Sequence, residues 1–135
     1  MQIEPNIGPN ISKKYNSFED TPVWRESHHA TIEIYKATKE FPQNEEFGLV
    51  SQIRRSASSI GANIAEGFFR NTTKELVNFL FIARGSCGET INHIILAKDL
   101  EIISNEKYLN LRQLYENIAM QLNGWIKSLK KSSKR

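Results

Sequence analysis

The residues of this chain that are able to do chemistry are mostly charged, and they gather in its middle. Arg54, Arg55, Arg70, Lys74 and Arg84 are interspersed with Glu66, Glu75 and Glu89, and their near neighbours are apolar or small. Two roles suit such a set. Guanidinium and ammonium groups in excess contact phosphates, which makes all five basic residues candidates for nucleic-acid binding. Alternatively, the arginines pair with the glutamates inside the fold or across a subunit interface, because a charge among apolar groups is costly unless partnered. The residues themselves favour pairing, and the two roles are not exclusive because some of the basic groups would remain in excess. A second pattern lies in Ser51–Arg70, where Gln52, Ser56, Ser59, Asn63 and Glu66 recur at steps of three and four beside an apolar row. Arg84, Ser86 and Glu89 offer a complementary set further on. The expectation is a polar seam or interface built from Gln52, Ser59, Asn63, Glu66, Ser86 and Glu89, with Arg54 or Arg55 left over for a partner.

Other chemistries lack a constellation. A di-metal carboxylate site needs two Glu-x-x-His pairs, and only Glu26–His29 fits that spacing. Glu89 and His93 share a helix face, a weak ligand pair alone. Cys87 in Gly85-Ser86-Cys87-Gly88 does not match a nucleophile elbow, and a small buried residue at a helix crossing is the better expectation. Phosphate-loop and zinc spacings are absent from the sequence. The chain is therefore expected to be no enzyme, with no catalytic residue, metal or cofactor.

At 135 residues the chain has the length of one domain able to bury a core without staples. A single cysteine gives no internal disulfide and points to a cytoplasmic setting. No run reaches the ~18 apolar residues of a membrane span. The formal charge of +3 is a tail effect: residues 1–126 carry 13 basic against 15 acidic side chains, and residues 127–135 add five basic ones. Within the body, residues 47–98 hold six basic and three acidic groups, whereas 21–46 and 99–126 are each −2.

Four helical patterns must position these groups. Residues 1–20, with Pro5, Gly8 and Pro9, predict an extended arm. Thr21-Pro22 opens a helix to about Glu40, with the threonine as N-cap, and Phe41-Pro42 ends it. A second runs from about Glu45 to Glu66, with Asn44 as cap and Gly67 as C-terminal cap; Gly61 marks a bend or close approach. A third starts at a Thr72/Glu75 capping box and reaches about Leu100. Its Gly85–Gly88 stretch predicts another backbone lying close. A fourth follows Ser104 to about Lys130, leaving 131–135 as a basic tail. Four long helices on short loops predict an all-α, antiparallel up-down four-helix bundle over residues 21–130.

Three segments carry a family resemblance: Ser51-Gln52-x-Arg54-Arg55, Asn63-Ile64-Ala65-Glu66-Gly67, and Ala83-Arg84-Gly85-Ser86 with Glu89. With their flanks they resemble the proteins named after the 23S ribosomal RNA intervening sequence, over about Phe18 to Leu129. The resemblance implies a four-helix bundle assembled as a homopentamer. It also implies kinship with the accessory protein of diversity-generating retroelements, which binds nucleic acid and a partner reverse transcriptase. RNA or DNA and a reverse transcriptase are thus the partners it implies, and a membrane is not. Outside its middle and tail this chain is acidic, unlike the strongly basic surface of that branch.

Overall fold

The computed structural model describes residues 14–133. Among these the structure is all-helical and without strands, with four long helices: α1 (Pro22–Thr38), α2 (Ser51–Phe68), α3 (Thr73–Asp99) and α4 (Asn105–Ser133). Each packs on the next in sequence, and α1 also packs on α4. The expectations for residues 1–13 and for Lys134-Arg135 lie outside the described residues. Phe18–Asp20 is not extended but forms a short 3-10 turn. Phe18 makes edge-to-face contacts with Trp24, Phe68 and Phe69.

Helix starts follow local chemistry, with two departures from expectation. Pro22 occupies the first turn of α1, but the Thr21 hydroxyl donates to the Phe18 carbonyl at 2.6 Å instead of capping α1. The preceding turn, itself capped by Ser17 and Asp20, brings that carbonyl within reach first. Asn44 caps nothing either. Residues Gln43–Glu45 form a 3-10 turn and Glu46–Val50 a wide turn kinked at Gly48, so α2 begins at Ser51. At α3 the Thr72/Glu75 box is formed in both directions. Ser104 accepts the Lys107 N–H at 3.0 Å, which caps α4.

The apolar rows make one core. Ile34, Ile60, Ile64, Phe68, Leu80, Ile94, Tyr115 and Leu122 are wholly buried, and each such aliphatic or aromatic group contributes about 1.5–3 kcal/mol by leaving water. A small satellite cluster joins Phe41, Leu49 and Val50 to Ala97, with Ile102 and Ile103 against it. It places the α1–α2 and α3–α4 connections at one end of the molecule.

The helical glycines divide by what surrounds them. At Gly61 a Cβ would stand 3.3 Å from Trp24 Nε1 and 3.5 Å from Ser27 Oγ, the close approach expected there. Gly67 is not a cap: α2 continues through Phe68, and no glycine among the described residues has a positive φ. Its Cβ would stand 2.9 Å from Phe79 Cβ and 3.0 Å from Leu76 Cδ1, so glycine is needed there for the approach of α3 to α2. Gly85 and Gly88, where a close backbone was expected, have nothing within 4 Å of a Cβ and face outward.

The α3–α4 turn closes with the Glu101 N–H on the Lys98 carbonyl and the Ile102 N–H on the Ala97 carbonyl, both short bonds. This is the Schellman arrangement, whose left-handed position glycine usually fills. Here it is Glu101, at φ 60°, and a side chain in that conformation costs about 1–2 kcal/mol. Glu101→Gly is therefore expected to raise stability by about 1 kcal/mol, a gain of roughly 4 °C in Tm. A fall in Tm in a thermal scan would mean that the carboxylate stabilises more than the strain costs.

Tyr115 carries a second internal cost. Its ring is fully buried and its hydroxyl has no hydrogen-bond partner among the described residues. Burial pushes the phenol well above its ordinary range. Thr31 is the nearby hydroxyl: its proton serves the Ser27 and Ala57 carbonyls, and its oxygen, which could accept from the phenol, falls outside hydrogen-bond geometry. An unsatisfied buried hydroxyl costs about 1–3 kcal/mol, so Tyr115→Phe is expected to be stabilising by about 1 kcal/mol in urea denaturation. A loss of stability would show that the hydroxyl is satisfied after all.

Candidate functional site

The polar row of α2 meets α3 in its middle and leaves it at both ends. Ser59 Oγ lies 3.0 Å from Ser86 Oγ, and Asn63 Nδ2 donates to the Ser59 carbonyl at 2.8 Å and its hydroxyl at 2.9 Å. One turn along, Thr90 Oγ1 is 2.8 Å from Ser56 Oγ and 2.9 Å from the Ser86 carbonyl. Thr90 has a single proton, so the Ser56 hydroxyl completes the chain, either towards Thr90 or towards the Ile53 carbonyl. Thr90 and Ser56 are buried. Polar groups at this depth persist only when bonded, and the small side chains let two helix backbones come close enough to bond them.

Gln52, Glu66 and Glu89 do not join this chain of hydroxyls. All three are exposed. Glu66 pairs with Arg70 one turn on, at 2.6 Å, and Glu89 lies 3.4 Å from the buried His93. Thr90 is the seam member absent from the sequence expectation. Its position four residues after Ser86 was the available signal.

The five basic residues are held in separate places. Arg54 donates to Thr38 Oγ1 at 2.8 Å and to the Tyr35 carbonyl at 3.3 Å, and its guanidinium stands 4.5 Å over the Tyr35 ring. Arg55 and Lys74 are exposed. Arg70, besides its ion pair, lies 4.7 Å over Phe79. Arg84 turns away from the seam towards α4. There it donates to Asn123 Oδ1 at 2.9 Å and lies 4.9 Å over Phe81, and Lys130 stands 4.7 Å over the same ring. Among the described residues, Arg54, Arg55, Lys74, Arg84 and Lys130 form no salt bridge to a carboxylate. Asn123 and Lys130 were thus missed by sequence reasoning, because nothing local places α4 beside Arg84, whereas Phe81, one turn earlier on the same helix, was legible from the i, i+3 spacing.

The groups considered for other chemistry sit apart. Cys87 is buried and its thiol contacts the Tyr115 carbonyl at 3.0 Å. Burial pushes that thiol up to about 11, which leaves it protonated and a poor nucleophile at neutral pH. Glu26 accepts a hydrogen bond from Gln121, and no cluster of three metal-ligating side chains occurs among the described residues. No helix among them is long and apolar enough to cross a membrane.

The sequence profile of the 23S rRNA-intervening sequence protein matches residues 19–124, which takes in α1, α2, α3 and most of α4. The chain belongs to the 23S rRNA-intervening sequence protein family. It is also similar to the crystal structure of a protein of unknown function, from the S23 ribosomal protein family, from Bacteroides thetaiotaomicron. That likeness has a TM-score of 0.71 at 30% identity, and covers 78% of this chain and 98% of the other. No curated protein matches the chain significantly. The family region contains the whole hydroxyl seam together with Arg84 and Asn123, and stops short of Lys130.

Proposed function

We propose that this family member is a non-enzymatic, homo-oligomeric scaffold that binds nucleic acid through the α3–α4 face. The observation that carries the reading is Arg84, held between Phe81 and Asn123 with Lys130 beside it and no carboxylate in salt-bridge reach among the described residues. A cation fixed in place by an aromatic ring has lost little of its charge, and it is already ordered for a phosphate oxygen. Lys127, one turn from Lys130 on α4, adds to the same sign. The architecture in this proposal is an antiparallel up-down bundle. In support, pairings run in opposite directions along neighbouring helices: Thr31 with Ala57 but Thr38 with Arg54, and Ser59 with Ser86 but Ser56 with Thr90.

The family resemblance favours a pentamer as the oligomer and a reverse transcriptase as a protein partner, in the manner of a retroelement accessory protein. The exposed Ile82 on the outer face of α3 gives such an assembly an apolar group on which to close. The test is a titration of structured RNA and of duplex DNA with the intact protein at several salt concentrations. Binding at ~50 mM salt that falls steeply as salt rises is expected, since each neutralised phosphate releases counterions. Absence of binding at that salt with the oligomer intact removes the nucleic-acid role and leaves a purely structural assembly.

A further inference from the structure

The partnered arginines of the fold are held in two ways. Arg25, Arg70 and Arg112 each face a carboxylate, on Asp20, Glu66 and Glu116, at 3.7, 2.6 and 2.6 Å. Arg70 and Arg112 find theirs one turn away on their own helix. Arg54 and Arg84 are held by neutral groups instead. The residues one turn to either side of Arg84 are Leu80, Phe81, Cys87 and Gly88, and none of them can neutralise it. What α4 offers it is the amide of Asn123 at 2.9 Å, in a stretch with no Asp or Glu from residue 117 to residue 133. We propose that Asn123 is the positioning residue of the basic face: it fixes the Arg84 guanidinium for a phosphate and leaves the charge unspent. This inference rests on the nucleic-acid reading above and adds to it the residue that sets the geometry of the site.

The chemistry of the pair fixes its polarity. A guanidinium only donates, so the oxygen of the Asn123 amide must face Arg84, and the amide N–H groups are left over. Asn123 is exposed, which leaves those N–H groups open to a ligand. The bond engages Arg84 through Nη1, while the guanidinium lies 4.9 Å over the Phe81 ring. Ring and amide together restrain the guanidinium, and its remaining N–H groups keep the fork that matches two phosphate oxygens. Lys130 over the same ring adds a further donor. Arg54 gives the contrast. It commits Nε to Thr38 and Nη2 to the Tyr35 carbonyl, so its fork is taken up by its own chain. Ordering a long side chain beforehand lowers the entropy lost on binding. A neutral acceptor provides that order without the charge cancellation that an aspartate would bring.

The test is a double-mutant cycle on the full chain, read by fluorescence anisotropy with a labelled RNA hairpin over a range of salt. Asn123→Ala keeps every charge, so affinity should fall about three- to tenfold, with the slope of log affinity against log salt unchanged. Asn123→Asp is nearly isosteric but sets a carboxylate against the guanidinium. It should cost at least about tenfold and lower that slope by about one, because the Arg84 charge is cancelled. In an Arg84→Ala background, Asn123→Ala should change nothing further, since Asn123 acts through Arg84. A thermal scan of Asn123→Ala should match the parent protein, which separates lost positioning from lost fold. An unchanged affinity in Asn123→Ala overturns the proposal. So does an equal loss in the Arg84→Ala background, which would make Asn123 a direct ligand contact, or a parent-like salt slope in Asn123→Asp. In each of these cases the parent protein still binds and Arg84→Ala still weakens it, so the nucleic-acid reading stands. A parent protein that binds no RNA at ~50 mM salt removes both.

Discussion

Gly67→Ala is expected to destabilise the protein, whereas Gly85→Ala and Gly88→Ala are expected to stabilise it, although all three glycines lie within helices. Each substitution relieves the helix penalty of glycine by about 1 kcal/mol. At Gly67 the new methyl would meet Phe79 Cβ at 2.9 Å and Leu76 Cδ1 at 3.0 Å. The first of these atoms is fixed to the α3 backbone and cannot swing aside. Overpacking of that kind costs about 1–3 kcal/mol, which exceeds the propensity gain and leaves a net loss of up to about 2 kcal/mol. Gly67→Val should lose more. At Gly85 and Gly88 the methyl meets nothing within 4 Å, so the gain of about 1 kcal/mol per site stands alone. Urea denaturation of the three alanine variants checks the signs. A Gly88→Ala protein that is less stable and has lost its oligomer would place a neighbouring copy against α3 at that point.

The double substitution Arg84→Ala with Lys130→Ala is expected to weaken nucleic-acid binding at least about tenfold at moderate salt, while assembly is kept. Two lost phosphate contacts should lower the slope of log affinity against log salt by about two. The two cations share the Phe81 ring, so the single variants should couple rather than add, because removal of one frees the ring for the other. Arg84→Lys should recover part of the binding only. A lysine restores the charge but not the planar fork that reaches Asn123 while lying on the ring. The comparison variant is Arg54→Ala, whose guanidinium is occupied by Thr38 and Tyr35 of its own chain. It should reduce affinity less than Arg84→Ala and reduce stability more. A double variant that instead falls apart on a sizing column with light scattering would identify Arg84 and Lys130 as assembly contacts, and would favour the structural reading.

This chain's charge is better read by place than by total, because its +3 comes from the last nine residues while the rest is −2. Folding brings α3 and the last third of α4 together, and so places Arg84 and Lys130, far apart in sequence, on the one Phe81 ring.

The sequence by itself determined the family and the all-helical class, because apolar residues at steps of three and four, a proline at a first turn and a Thr/Glu box are local signals. It also determined that α2 carries a polar row beside its apolar one. Only the tertiary structure decided what that row does. Ser56 and Ser59 are bonded because α3 offers Thr90 and Ser86 at the same depth, and Asn63 joins them through Ser59 of its own helix, whereas Gln52 and Glu66 lie beyond the contact and remain in water. The glycines show the same division. Spacing alone suggests a cap at Gly67 and a crossing at Gly85–Gly88, and the geometry is the reverse, since a glycine's meaning depends on a neighbour that spacing does not name. Arg84 is the strongest case. Its sequence neighbourhood offered Ser86 and Glu89, but its partners are Phe81, one turn back on its own helix, and Asn123 on α4, with Lys130 on the same ring. A long side chain on a helix reaches whichever groups the packing of the next helix brings to it, and that packing is set by the buried rows on the other faces.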